Sequence, residues 1–158
     1  MTDPSSTEAA FRIEPLSGDD DLTGVLEVEE ESFTNPWTRE MYAWELQNRE
    51  VCHIDLVRTP DCPVAGFCAF WVVFDEIHIN NVAIRHRFRG RGMGTALITH
   101  VLRAGAGRGA RRATLEVRAS NTDALRLYTR LGFYVAGTRR QYYSKPVEDA
   151  LILWHDGM

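Results

Sequence analysis

Apolar positions recur along this chain in two rhythms, and each change of rhythm marks an element. Alternation, or short runs rich in Val, Ile, Phe and Trp, predicts strands over residues 11–15, 51–57, 65–74, 76–84, 112–118, 133–137 and 148–154. Apolar spacings of three and four predict helices over about 20–33, 39–47, 92–106 and 122–131. Local chemistry supports several ends. Thr38 can cap the second helix, with Trp37 and Tyr42 spaced as a hydrophobic staple. Asn121 stands at the N-cap of the last helix, Ala124, Leu127, Tyr128 and Leu131 form its core stripe, and Gly132 ends it. Antiparallel strands followed by a strand–helix–strand–helix–strand unit predict a mixed α/β layer fold.

One strand breaks its own period. Ile77 and Ile79 alternate on one phase, Val82 and Ile84 on the other, and the change falls at Asn80-Asn81. A period of two cannot switch faces without an inserted residue, so a β-bulge is expected there. It would free backbone N–H and C=O groups that could hold an extended ligand.

Directly after it comes Arg87-Phe88-Arg89-Gly90-Arg91-Gly92-Met93-Gly94-Thr95, opening the third helix. Glycines at a helix start let another molecule approach the backbone, and the unpaired amides with the helix dipole favour a phosphate. The segment lacks the closing Gly-Lys-Ser/Thr of a triphosphate loop, and Thr95 and Leu97 stand where the last glycine of a dinucleotide loop would fall. What remains is R-x-x-G-x-G, on Arg89, Gly92 and Gly94. A second glycine cluster, residues 105–110, ends a helix and reads as its C-cap and loop.

Composition narrows the classes. With 158 residues and 44% hydrophobic content, a single domain over 11–158 is expected, preceded by a loose tail over 1–10. The net charge of -4 and a pI near 5.7 argue against direct nucleic-acid binding. The longest apolar stretch, 64–74, falls well short of the roughly 20 residues that span a bilayer, and no signal pattern opens the chain. A cytoplasmic protein, monomeric or weakly oligomeric, is expected. Cys52, Cys62 and Cys68 lack C-x-x-C spacing and read as reduced core thiols, and the scattered histidines suggest no metal.

By position alone, Glu116 reads as an exposed strand carboxylate and Tyr128 as a core tyrosine. The constellation changes that reading. Bulged strand, R-x-x-G-x-G, helix, then Leu115-Glu116-Val117-Arg118-Ala119-Ser120-Asn121, Tyr128 and Leu131-Gly132-Phe133 together resemble the Gcn5-related N-acetyltransferase (GNAT) superfamily. Glu116-Val117-Arg118-Ala119-Ser120-Asn121 with the later Arg139-Arg140-Gln141-Tyr142-Tyr143 narrows the resemblance to the bacterial RimI type; it also takes in Asn35-Pro36-Trp37 and covers nearly the whole chain from Phe11 to Trp154. It implies a central, mostly antiparallel sheet with a bulged fourth strand and flanking helices. It further implies acetyl transfer from acetyl-CoA to the N-terminal alanine of small-subunit ribosomal protein number eighteen. Acetyl-CoA would lie along Val82, Ala83 and Ile84, with its pyrophosphate on the amides of Gly90, Arg91, Gly92, Met93, Gly94 and Thr95, beside Arg89, and Asn121 on its arm. Glu116 would accept a proton and Tyr128 donate one. The acceptor peptide would lie between the first two helices and residues 139–143, with the acidic positions 19–21, 27 and 29–31 available to a basic tail. A broader N-terminal or small-amine acetyltransferase and a non-catalytic acyl-CoA-binding module are the alternatives.

The chemistry suits these groups. A protonated amine cannot attack a thioester, so a base must take its proton. With pKa values near 7.7–8.0 for an α-amine and 10.4 for lysine, neutralising the terminus costs roughly 3.5 kcal/mol less. A strand N–H, that of Val82, would meet the developing oxyanion, and Tyr128 would protonate the departing thiolate. No acyl-enzyme is required, so the cysteines need no role.

Overall fold

Strand pairing, rather than any one helix, organises this molecule. In the computed structural model, which describes residues 10–158, all seven strands join one sheet in the order β1-β2-β3-β4-β5-β7-β6. The strands are β1 (Arg12–Pro15), β2 (Cys52–Thr59), β3 (Cys62–Val73), β4 (Glu76–Ile84), β5 (Arg112–Arg118), β6 (Tyr134–Tyr143) and β7 (Glu148–Asp156). The helices are α1 (Asp19–Ser32), α2 (Arg39–Gln47), α3 (Met93–Gly107) and α4 (Thr122–Arg130). Every neighbouring pair of strands is antiparallel except β4 and β5. The tail expected over residues 1–10 lies, apart from Ala10, outside the described residues.

Helices cover both faces of the sheet. On one, Leu97, Ile98 and Val101 of α3 and Tyr128 of α4 pack with Ile77, Ile79, Leu115 and Val117. On the other, Leu22, Val25 and Val28 of α1 and Tyr42 of α2 pack with Leu56 and Phe67. Each such fully buried aliphatic side chain contributes about 1.5–3 kcal/mol. α3 lies very close to the sheet at Gly105, where an added Cβ would fall 2.1 Å from Ile77 Cδ1. The second helix begins as its sequence predicts. Thr38 Oγ1 accepts from the Met41 amide at 3.3 Å, and the Trp37 and Tyr42 rings stand 5.2 Å apart.

The bulge is present. Ala69 pairs with Asn81 and Phe70 with Ile79, which leaves Asn80 as the extra residue of β4. Its insertion resolves the phase change, because Ile77, Ile79, Val82 and Ile84 all meet the same core.

Two strand boundaries differ from the expectation by three residues or more. β3 begins at Cys62 rather than residue 65, so β2 and β3 close in a hairpin around Pro60-Asp61. β6 runs to Tyr143 rather than stopping at Gly137. Residues 138–143 carry a mostly polar, exposed run at the sheet edge, and pairing with β7 holds them where alternation gives no signal.

Candidate active site

The sheet opens where the bulge lies. β4 and β5 pair in parallel from Glu76↔Arg112 to Ile79↔Leu115 and no further, although β4 continues to Ile84 and β5 to Arg118. Beyond the bulge, the β5-facing backbone of β4 therefore has no ladder partner. A cleft of about 690 Å³ fills this seam, bounded by β4, β5, the end of α1, the start of α4 and the aromatic end of β6.

The glycine segment lies at the end of β4. A short 3₁₀ turn (His86–Phe88) leads to Gly90 and Gly92, with φ of 77° and 81°. These left-handed values suit glycine, and a Cβ at either position would meet nothing within 4 Å. α3 then starts at Met93 with no side-chain cap, so its first amides remain free of intrahelical partners and face the loop. Arg89 Nε bonds the Ile84 carbonyl at 3.0 Å, and the Arg87 and Arg91 guanidinium carbons stand 4.8 and 5.6 Å from the Phe88 ring centre. An open strand edge running into uncapped amides and a tolerant glycine turn fits a ligand with an extended, amide-bearing arm and a diphosphate.

Four of the anticipated residues, Val82, Glu116, Asn121 and Tyr128, line the cleft itself. The others do not line it. Ala83 is buried against the α1–α2 core, Ile84 packs on the opposite core, and the Met93 side chain is buried beneath the loop. For these three only the backbone is available to a ligand in that seam. Arg89, Gly90, Arg91 and Gly92 are exposed, and Gly94 and Thr95 are half-buried. Asn121 caps α4, its Oδ1 accepting from the Ala124 amide at 3.2 Å.

Glu116 and Tyr128 reach the cleft from different elements. Ala113, Leu115 and Val117 of β5 are buried in the core, so Glu116 takes the other face, with Thr114 and Arg118. Its Oε1 is 3.0 Å from Arg139 Nε. Tyr128 projects from the apolar stripe of α4, 5% exposed, and meets Phe133 edge-on at 5.5 Å between ring centres. Burial raises its phenol above the ordinary tyrosine value, with smaller contributions from Cys68 and Tyr143. Burial first, then the Glu116 carboxylate, pushes Tyr143 up to about 12. The cleft thus holds a carboxylate together with phenols whose burial favours the protonated form.

Sequence comparison meets this geometry. The acetyltransferase (GNAT) family matches residues 21–133. The chain belongs to that family. A Bacillus subtilis relative is 39% identical over 94% of this chain and 95% of its own length. The [ribosomal protein bS18]-alanine N-acetyltransferase of Salmonella typhimurium is 35% identical, covering 84% of this chain and 89% of that enzyme. The solved ribosomal-protein-S18-alanine N-acetyltransferase of Escherichia coli superposes with a TM-score of 0.84 at 31% identity, over 94% of this chain and 95% of that one. This GNAT protein is an N-acetyltransferase of the RimI type.

The GNAT cleft has a wall that the sequence did not disclose. Glu29 of α1, 0% exposed, accepts from the Trp37 amide at 3.0 Å and from Tyr42 Oη and Asn81 Nδ2. Asn81 also donates to Tyr42 Oη at 3.2 Å. One carboxylate of α1 therefore ties the bulge to α2 and to the loop ahead of it. The signal was available, since Glu29 follows Val25 by four residues on the buried stripe of α1. The sequence alone instead offers every acidic position of this run to a basic tail. That reading needs correction at two positions, because Asp21 and Glu29 are both buried and cannot greet a basic tail. Of the others, Glu27 pairs with Arg85 at 2.9 Å and Asp19 with Arg39 at 3.0 Å.

The far end of this acetyltransferase's cleft is knitted by Arg118. It donates to the Pro146 and Ser144 carbonyls at 3.0 and 2.9 Å and to Thr34 Oγ1 at 3.2 Å, and lies over Tyr143. Asn35 Nδ2 adds a bond to the Ser144 carbonyl at 3.0 Å. The β6–β7 turn is thereby docked on the α1–α2 loop.

Proposed function

We propose that this enzyme transfers acetyl from acetyl-CoA to the α-amine of the N-terminal alanine of ribosomal protein bS18, in the cytoplasm, with Glu116 as proton acceptor and Tyr128 as proton donor. The observation that carries the roles is the presence of both side chains in one cleft, at the seam left open by the β4 bulge. The acceptor is supported by the relatives of Salmonella typhimurium and Escherichia coli, which bear that activity in their names.

Acetyl-CoA supplies an activated acyl carbon when bound. The open backbone of Val82, Ala83 and Ile84 would hold its arm with Asn121 beside it. The amides from Gly90 to Thr95, flanked by Arg89, would hold its diphosphate. Glu116 would take the proton from the incoming α-ammonium, directly or through water, which a carboxylate can do for an amine of pKa near 7.7–8.0. The Val82 amide would face the oxygen on which negative charge grows. Tyr128, kept protonated by burial, would supply its proton to the departing sulfur. The three cysteines are buried, and the scheme leaves them idle.

Incubation with acetyl-CoA and a peptide carrying the bS18 N-terminus, followed by thiol release and mass spectrometry, tests this. Acetylation of the alanine α-amine is expected. Acetylation confined to lysine, or of any small amine equally, would replace the reading with a broader amine acetyltransferase.

A further inference from the structure

Among the described residues, four buried side-chain polar atoms find no hydrogen-bond partner: Ser32 Oγ, His53 Nε2, Asn80 Nδ2 and His155 Nδ1. Two of the four, those of Ser32 and Asn80, belong to residues that line the active-site cleft. An unpaired buried donor costs about 1–3 kcal/mol, so its persistence calls for an explanation in what meets it. Asn80 is also the residue inserted at the bulge, and so carries no strand-pairing duty.

We infer that Asn80 and Ser32 form a subsite for the first peptide group of the acceptor, so that the enzyme reads a chain terminus and not merely an amine. This rests on the acetyl transfer proposed above. An amide Nδ2 only donates, and a hydroxyl both donates and accepts. A chain terminus offers the matching set: an α-ammonium, then a carbonyl oxygen, then a second N–H. A lysine side chain or a simple amine offers only the first.

The pantetheine arm of acetyl-CoA also carries carbonyls, but the surroundings favour the peptide. The open edge available to that arm runs from the bulge through Val82 to Ile84 and on to the glycine turn. Asn80 stands at the opposite end of that edge, beside Asn81, which is bonded to Glu29 of α1. Ser32 is the last residue of α1, ahead of the loop that carries Asn35 and Trp37. Both orphan atoms are thus associated with the helices on the acceptor side.

Steady-state kinetics with two acceptors test this: an alanine-initiated peptide, and the same peptide with its first peptide bond replaced by an (E)-alkene, which keeps the shape and the amine but removes the carbonyl and the N–H of that peptide group. Wild type should use the normal peptide roughly tenfold better in kcat/KM. Asn80→Ala should lose about that factor on the normal peptide, lose nothing on the alkene, and keep the KM for acetyl-CoA. Ser32→Ala, a one-atom deletion, should narrow the same preference and serves if the Asn80 variant does not fold. Equal loss on both acceptors, no loss on either, or a rise confined to the KM for acetyl-CoA would each overturn the subsite; the last would assign Asn80 to the pantetheine arm. Wild type inactive on both peptides would instead remove the underlying reading of the acceptor.

Discussion

Arg139 Nε stands 3.0 Å from Glu116 Oε1, although β7 separates the strands that carry them. The register explains the reach. Glu116 and Gly137 both pair with Ile152, from opposite sides of β7, and Arg139 lies two residues further along β6. The side chains are 56% and 27% exposed, so the pair adds little to stability, about 0.2–1 kcal/mol. Its effect falls on where the carboxylate points.

Glu116→Gln should therefore lower kcat by about 10²–10⁴, the usual worth of a positioned base, while the KM for acetyl-CoA stays near wild type. Arg139→Ala should shift the melting temperature by only a few degrees. Steady-state kinetics and thermal melts check both.

Tyr128→Phe should reduce kcat at every pH from about 6 to 9 without reshaping the profile. Burial raises the phenol of the folded protein above its ordinary value near 10, so it stays protonated across that range. An alkaline limb that vanished in the variant would contradict the assignment. Stability follows the same sign: the contribution is intact below about pH 10, and is lost above it as the unfolded chain ionises first.

Asp21 makes the opposite case. Arg58 holds it by two bonds, of 2.8 and 2.7 Å, and those bonds press its carboxyl well below the usual range. A depressed carboxyl stabilises the fold above the unfolded value near 3.9, and that stability drains away as pH falls from there. Asp21→Asn should flatten the acid side of a stability–pH curve measured by urea unfolding.

Removing the Glu29 carboxylate should cost more than any surface change. Glu29→Ala would strand three donors, those of Trp37, Tyr42 and Asn81, at about 1–3 kcal/mol each where they remain buried. A loss of at least ~3 kcal/mol is expected, read as a lowered urea midpoint. Glu29→Gln should lose less.

Gly92→Ala forces a side chain into a φ of 81°, a strain of roughly 1–2 kcal/mol. Relief would turn the α3 amides away from a bound diphosphate. A KM for acetyl-CoA raised about tenfold, with the acceptor KM nearly unchanged, is the expected result.

How far these features could be read in advance depended on their range. The bulge was legible because four apolar residues, Ile77, Ile79, Val82 and Ile84, must share one core while alternating. The Thr38 and Asn121 caps were legible because a cap joins atoms only three residues apart. The second half of β6 was not, since its polar residues are ordered by a neighbour that follows in the chain. Nor was the burial of Asp21, which depends on Arg58, 37 residues away.

The alternation of apolar residues, the glycine turn and the family motif were thus settled by the chain alone, because local sterics and short-range hydrogen bonds act between residues close in sequence. Pairings such as Arg139 with Glu116 and Asn81 with Glu29, and the orphaned Asn80 and Ser32 atoms, belong to the folded molecule alone. They depend on which strands lie side by side and how far β4 parts from β5, and that is decided by packing two cores on one sheet.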